Sequence, residues 1–431
     1  MQVKKTNISD TQVVLVISEE SEGLLPVKEH VLKEHFAKDV SIPGFRPGKA
    51  PLHIVEKNVD QVKFQNQFLE EVINDLFGKA IRQEKLRSVE QPTVKIVKFV
   101  PFTLLEFEAT VAVISPVKLP DYKSLKIPKP TALPATDKEV DGVISRIQRQ
   151  VAKHDDVDRA AKNGDQVIIN FNGVDDKGVA VNGADGKEYP LILGSDAFIP
   201  GFETNLIGLK AGQKKTFTLK FPKEYVVKAL ANKDVTFSVE IIKVQEVIEP
   251  EVNDSFAASV GPFKTVSELR DDIKRQLTFE KANQADRDYE TTVLKAITAK
   301  SKLTVPEVLI NDEIEKRLKE LNQNLVYRGQ TMQDFLAQES KTEAEYIEKV
   351  LKPEVIERLK ASIVLSEISE LENVALTGEE VNARFEALKR QYRNPETQAE
   401  LDKPEAKRDI ANRILAEKTA AIITTYSSRS K

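Results

Sequence analysis

Few residue types in this chain can do covalent chemistry. Its 431 residues include no cysteine, which removes thiol nucleophiles, cysteine metal sites and disulfides. The four histidines, His30, His35, His53 and His154, form no i,i+4 ligand pair, so no catalytic zinc site is expected. Gly183-Ala184-Asp185-Gly186-Lys187 has the wrong spacing for a phosphate loop, and Glu188 stands where Ser or Thr must hold magnesium. It reads as a hairpin tip. Ser195 follows Gly194 but lacks the G-x-S-x-G frame of a nucleophile elbow. Carboxylates are many but scattered among lysines, as on a solvated face. What is left is chemistry without a nucleophile, and two stretches qualify. One is Ser41 to Pro51, with three prolines and two glycines in eleven residues around Phe45, Arg46 and Lys49. No acidic residue falls between Val40 and Val55. Such a stretch is a shaped loop: either a connector whose Phe tucks into the core, or a docking tip. The other is the aromatic-rich segment ending Gly194-Ser195-Asp196-Ala197-Phe198-Ile199-Pro200-Gly201-Phe202.

The elements that must carry these stretches follow from pattern. The length predicts several domains. A net charge of -4 with 31% charged residues excludes a bulk nucleic-acid binder, so any RNA contact must be local. Met1 to Lys5 leads into a polar segment rather than an apolar one, and no apolar run reaches spanning length. Neither a secretory signal nor a membrane span is expected, and the default compartment is the cytoplasm. Thr11–Ser18 reads as a strand, and Pro26 opens a helical pattern to about Asp39. The loop follows. Pro51 suits the first turn of a short helix, and Asp60 caps a long one to about Leu86. Thr93–Phe99 and Leu104–Val113 close an α+β domain, residues 1–113.

Five prolines between Ser115 and Pro134 make an extended connector. Thr136-Asp137-Lys138-Glu139 is a capping box for a helix with an apolar face that needs a distant partner; connector and helix span 114–159. The next strands are Gln166–Val174, Tyr189–Leu193, Lys214–Phe221 and Asp234–Gln245, with one short helix before Leu209, within residues 160–246. Residues 247–431 are almost entirely helical, with starts at Thr265, Thr304, Thr342, Thr377 and Pro404 and a kink expected at Pro353. Long helices with short loops favour extended antiparallel arms. Ile310, Ile314, Leu318, Leu321 and Leu325 form one apolar stripe, open either to client segments or to helix packing.

Within the β-rich part, Asn170-Phe171-Asn172-Gly173, Gly194 to Phe202, Phe221-Pro222-Lys223-Glu224-Tyr225 and Val235 to Glu240 together resemble the FKBP-type peptidyl-prolyl isomerases. That resemblance implies a β half-barrel around one short helix. By position it assigns Phe171, Tyr189, Leu191, Phe198, Ile199, Phe202, Tyr225 and Phe237 to the pocket, and the Ile199 amide to the substrate backbone. It departs at Val181-Asn182, where the family has an aromatic and then an acid, and at Phe202, where small members have tryptophan. The whole chain is similar to the trigger factor family of bacterial ribosome-associated chaperones. Gly44 to Pro51 matches its G-F-R-x-G-x-x-P signature, and Glu251 to Ala257 leading into Phe263 to Val266 agrees as well. The implied architecture is multidomain α+β: an N-terminal α+β ribosome-binding domain, an inserted isomerase half-barrel, and an all-α C-terminal domain with extended arms.

The resemblance implies a chaperone that uses no ATP, no metal and no other cofactor. Gly44, Phe45, Arg46, Pro47, Gly48 and Lys49 would dock on an exit-tunnel protein and adjacent rRNA. Its other partners would be nascent and unfolded polypeptides, with a homodimer open away from the ribosome and no membrane partner. Two other classes stay in play: a free cytosolic prolyl isomerase with substrate-recruiting arms, and a helical scaffold with an inactive β-domain.

Overall fold

The computed structural model describes residues 1–46, 48–175, 178–222, 232–392 and 394–429. Pro47 and Tyr225, both assigned roles above, lie outside the described residues, as does most of the Phe221 to Tyr225 segment. In chain order the elements begin β1 (Gln2–Ser9), β2 (Gln12–Glu20), α1 (Ser21–Val31), α2 (Leu52–Asn58), α3 (Gln61–Gln83), β3 (Thr93–Val100) and β4 (Leu104–Ala112). They continue with α4 (Asp137–Gln150), β5 (Lys153–Asp156), β6 (Gln166–Val174), β7 (Ala180–Ile192), β8 (Lys214–Lys220) and β9 (Asp234–Ile248). The helical remainder is α5 (Asp254–Val260), α6 (Val266–Lys300), α7 (Glu307–Tyr327), α8 (Met332–Glu339), α9 (Glu343–Tyr346), α10 (Lys352–Leu371), α11 (Gly378–Gln391), α12 (Pro395–Leu401) and α13 (Pro404–Arg429). Two compact units divide the chain: Met1–Pro128 with Glu290–Asn324 and Ala344–Lys431, and Lys129–Tyr289 with Leu325–Glu343.

In the first unit an antiparallel sheet runs β1-β2-β4-β3. Alternation puts Val13, Leu15 and Ile17 of β2 and Leu105, Phe107, Ala109 and Val111 of β4 on one buried face. Phe68, Val72, Leu76 and Ala80 of α3, spaced four apart, cover it. Asp60 caps α3 by accepting the Val62 and Lys63 N–H groups at 2.9 and 3.1 Å. The polar N-terminus, given no element above, is the edge strand β1, and all its residues but Val3 are exposed. It forms by pairing with β2 and buries too little for its pattern to show. The helix expected from Pro26 starts earlier, at Ser21, and holds Pro26 inside at the cost of one backbone hydrogen bond. A π-turn, Leu32–Phe36, then leads to the Ser41 to Pro51 loop.

The same unit contains the packing of α7 on α10. Ile310 and Ile314 are buried with Leu351, Val355 and Ile363, and Leu318 packs beside them. Of the two alternatives open for the stripe, helix packing is the one realised at these three positions. The kink expected at Pro353 takes the form of a π-turn, Ile347–Leu351, directly before α10, where the missing proline N–H breaks the ladder. Glu372 accepts from the Tyr122 hydroxyl at 2.5 Å and the Tyr426 hydroxyl at 2.7 Å, and Lys123 Nζ stands 2.8 Å from it. The lysine also lies 5.3 Å from the Tyr426 ring centre. Proline-rich connector and α13 are tied through one carboxylate.

In the second unit β5-β9-β6-β7 form one antiparallel sheet, and β8 also pairs with β9. β7 is far longer than the Tyr189–Leu193 strand expected. Gly183 to Lys187 lies inside it rather than at a hairpin tip. Register shifts against β6, between Ile169 and Phe171 and between Asn172 and Val174, admit the glycines that made this stretch look like a turn. The capping box at Thr136 and Glu139 is present, and Val140 and Ile144 of α4 pack against Phe256, Ala257, Leu269 and Ile273. The helices α8 and α12 had no counterpart in the sequence reading; each is short and stands among polar residues. Among the described residues no helix is long and apolar enough to cross a membrane.

The Lys123 ammonium, followed by the two phenols, lowers the Glu372 carboxyl from its ordinary 4.5 to about 2. Burial and the Glu372 contact push the Tyr122 phenol up. A lowered folded-state value contributes stability that is complete above the unfolded value and is lost as pH falls through the folded one. Amide protection along α13 should therefore weaken between about pH 4.5 and 2. Glu372→Gln should remove most of that dependence; an equally steep loss in the variant would assign it to other carboxylates.

Candidate active site

Phe202 is fully buried at the centre of the β-rich part. The period of two in each strand gathers the surrounding residues about it: Phe171 from β6, Leu191 from β7, Phe217 from β8 and Phe237 from β9, with Tyr189 of β7 further out against Phe171 and Phe198. The loop between β7 and β8 returns Phe198 and Ile199 over the same point. Phe202 stacks on Phe198 with ring centres 4.4 Å apart, and meets Phe171, Phe217 and Phe237 edge-on at 5.9, 5.3 and 5.2 Å. Phe171, Tyr189 and Phe198 contact each other edge-to-face at 5.2–6.0 Å. These three are the open side: Tyr189 is 43% exposed, and the Phe171 and Phe198 rings are half-buried. Beneath them Leu191, Ile199 and Phe237 are buried.

The structure thus brings together every pocket residue named above that lies within its described part. The sequence reading missed Phe217, although its strand KKTFTLK shows the inward alternation that places it. It also missed Glu203, whose only signal was an acid directly after the central phenylalanine. Val181 is partly buried against the same core, so its position is packed rather than open. Two glycines are required by close approach. A side chain at Gly186 would meet the Phe171 ring at 2.6 Å, and one at Gly194 (φ +88°) would meet Asn163 Oδ1 at 2.2 Å.

This arrangement has one polar feature suited to a peptide. Among the described residues the Ile199 N–H has no hydrogen-bond partner, while its carbonyl accepts the Phe202 N–H at 3.0 Å. An amide donor beside an apolar aromatic surface matches what a peptidyl-proline presents: a ring to cover and a carbonyl to hold. Rotation about the X–Pro bond loses resonance worth most of a roughly 18–20 kcal/mol barrier. The twisted amide is less polar than the planar one, so a dry aromatic surface favours it, and no nucleophile is involved.

In the first unit the Ser41 to Pro51 loop is anchored at both ends. Ile42 is buried with Val31, Leu32, Val55 and Phe64, and the Gly48 N–H donates to Ala37 O at 2.9 Å. Its crown is tightened by Phe45 N–H to Ile42 O at 3.1 Å and Lys49 N–H to Arg46 O at 3.0 Å. Gly44 and Gly48 have φ of +88° and +78°, which only glycine adopts at low cost. Phe45 is 42% exposed, and Arg46 and Lys49 face solvent. The phenylalanine does not tuck into the core.

Comparison with known proteins gives the following. Residues 1–147 match the family described as bacterial trigger factor protein, and residues 265–425 match its C-terminus. Residues 157–242 match the FKBP-type peptidyl-prolyl cis-trans isomerases. The trigger factor of Caldicellulosiruptor bescii is 32% identical over 391 residues, 90% of this chain and 87% of the relative. That of Clostridium botulinum is 31% identical over 428 residues, 98% of this chain and 99% of the relative. That of Clostridium tetani is 30% identical over 399 residues, 91% and 90% of the two chains.

Burial separates the rings by the damage their loss should do. Phe202→Ala opens a central cavity and should cost about 3–5 kcal/mol, enough to unfold this part of the chain. Phe198→Ala removes a half-exposed ring and should leave the fold intact while lowering turnover of a prolyl peptide about tenfold or more. Circular dichroism with a coupled isomerase assay reads both; normal turnover by a folded Phe198→Ala would place the site elsewhere.

Proposed function

The chain belongs to the trigger factor family, chaperones that carry an FKBP-type prolyl isomerase domain, and from this premise we propose that it works docked on the ribosome. The Gly44 to Lys49 loop is the anchor, set at the polypeptide exit on a ribosomal protein and neighbouring RNA. Phe45 supplies an apolar contact, and Arg46 and Lys49 supply phosphate contacts. The chaperone shields emerging chains without ATP, and isomerises X–Pro bonds at the surface formed by Phe171, Tyr189, Leu191, Phe198, Ile199, Phe202 and Phe237. It acts in the cytoplasm. Residues 1–113 form the docking domain, 160–246 the isomerase and 247–431 the client-holding part, with 114–159 as connector and helix.

The observation that carries the docking reading is the exposure of Phe45 on a loop whose backbone is fixed on both sides. Exposing an aromatic costs apolar contact that the neighbouring core could have supplied. Two exposed cations beside it, in a segment free of carboxylates, add an electrostatic match to RNA. Few phosphate contacts mean reversible, salt-sensitive binding, which suits a chain whose net charge is only -4.

Co-sedimentation with ribosomes tests the anchor. Phe45→Ala and Arg46→Ala should each weaken binding about tenfold, a difference of about 1.4 kcal/mol. Arg46→Ala should also flatten the dependence of log affinity on log salt by about one unit. If both variants sediment like the parent in moderate salt, the loop is not the anchor and the free isomerase becomes the better reading. A chain lacking residues 163–246 should suppress aggregation of an unfolded client as well as the parent does. A loss there would make the isomerase part of the holding surface.

A further inference from the structure

We propose that Glu203 is the positioning residue of the isomerase site, fixing the loop that presents Phe198 and the Ile199 N–H to the substrate. Glu203 stands directly after Phe202, in a single turn of 3-10 helix, Glu203–Asn205, and is 7% exposed. Among the described residues it has no lysine, arginine or histidine partner. A buried charge without a counter-ion needs other compensation. Here it comes from five consecutive residues. Oε2 accepts the Gly194 N–H at 2.7 Å and the Asp196 N–H at 3.2 Å. Oε1 accepts the Ala197 N–H at 2.8 Å, the Phe198 N–H at 3.3 Å and the Ser195 hydroxyl at 3.3 Å. Four backbone donors and one hydroxyl thus converge on one carboxylate.

Stability of the core does not call for a charge here. An apolar side chain could fill the same space around Phe202, but it would leave the four N–H groups that point at Glu203 without an acceptor. The carboxylate acts on the loop. Gly194 and Asp196 both adopt left-handed backbone, φ +88° and +55°, and the second is not a glycine. Among the described residues, the only backbone bond donated from 194–198 is the Ser195 N–H to Ile192 O at 3.3 Å, so a loop with two such residues and four inward N–H groups has little pairing of its own to hold it. Glu203 supplies that pairing and joins the loop to the central ring one residue before it. The last donor in the series is the Phe198 N–H, and the next N–H along the chain is that of Ile199, which has no partner among the described residues. Carboxylate, floor ring, lid ring and substrate-facing amide therefore lie within six residues, and the carboxylate sets their mutual geometry.

This inference rests on the reading of the aromatic surface as the isomerase site, and its test is arranged to separate the two. In the full chain, Glu203→Gln turns one accepting oxygen into an amide donor facing N–H groups, so at least two of the five contacts are lost. Hydrogen exchange at residues 194–198 should accelerate at least tenfold, while amides of β6 and β9 keep their protection. With a prolyl peptide, kcat should fall about tenfold and KM should stay within about twofold, because the rings that bind the proline remain and only the alignment is loosened. Glu203→Asp keeps both oxygens at shorter reach and should recover part of the loss. If Gln does not fold, Asp carries the same comparison against the parent. Faster exchange at 194–198 with parental kcat would overturn the proposal, since the loop would then be held without serving the site. Unchanged exchange would overturn it as well. A parent chain that fails to turn over the peptide would instead remove the site reading, and this proposal with it.

Discussion

One buried ring constrains the β-rich part of this chain. Phe202 needs apolar cover on all sides, and no single element can give it. Phe171, Phe217 and Phe237 reach it from three strands, and Phe198 folds back from its own loop. Closing around that ring forces the sheet to bring strands far apart in sequence into register. It also leaves the outer rings, Tyr189 and Phe198, with one side covered and one side open. The surface proposed for the substrate is thus the unfinished edge of the core. Its apolar character follows from folding, and its orientation depends on the loop between β7 and β8.

The second functional feature has the opposite physical logic. The Ser41 to Pro51 loop buries Ile42 and leaves its aromatic outside. Its glycines at positive φ and the backbone hydrogen bonds on either side of Pro47 tie the loop without a core beneath it. A loop tied in this way gives up little conformational entropy on binding, so few contacts would suffice for the reversible anchor proposed. On the proposed roles, the aromatic surface would gain from dryness and lose nothing to salt, while the loop would gain from exposed charge and be screened by it. Each feature can therefore be weakened without altering the physics of the other.

How much was legible in the sequence depends on what held each part together. Strands with one buried face, such as β2, β4, β6, β8 and β9, announced themselves by alternation, and capped helices by Thr136, Thr377 and Asp60. β1 was silent because an edge strand of lysines and polar residues has no buried face. The first half of β7 was misread because its glycines serve bulges and the close approach of the Phe171 ring, where the same residues elsewhere make turns. The apolar stripe on α7 was legible as a stripe, yet periodicity could not say what covers it; at Ile310, Ile314 and Leu318 it is Leu351, Val355 and Ile363. At the candidate site, the aromatic residues other than Phe217 were legible from their motifs. Glu203 was not, because its role lies in five backbone N–H and hydroxyl contacts that carry no signature of their own.

The central claim is that the open aromatic edge and the Ile199 N–H, which has no partner among the described residues, form one site for a peptidyl-proline. Amide-resolved NMR of the chain titrated with a short prolyl peptide tests it most directly. The account predicts that the Ile199 N–H resonance moves furthest downfield, as an unpaired donor gains an acceptor, with accompanying shifts at Tyr189 and Phe198. Saturable shifts confined to other parts of the chain, with Ile199 unmoved, would contradict it.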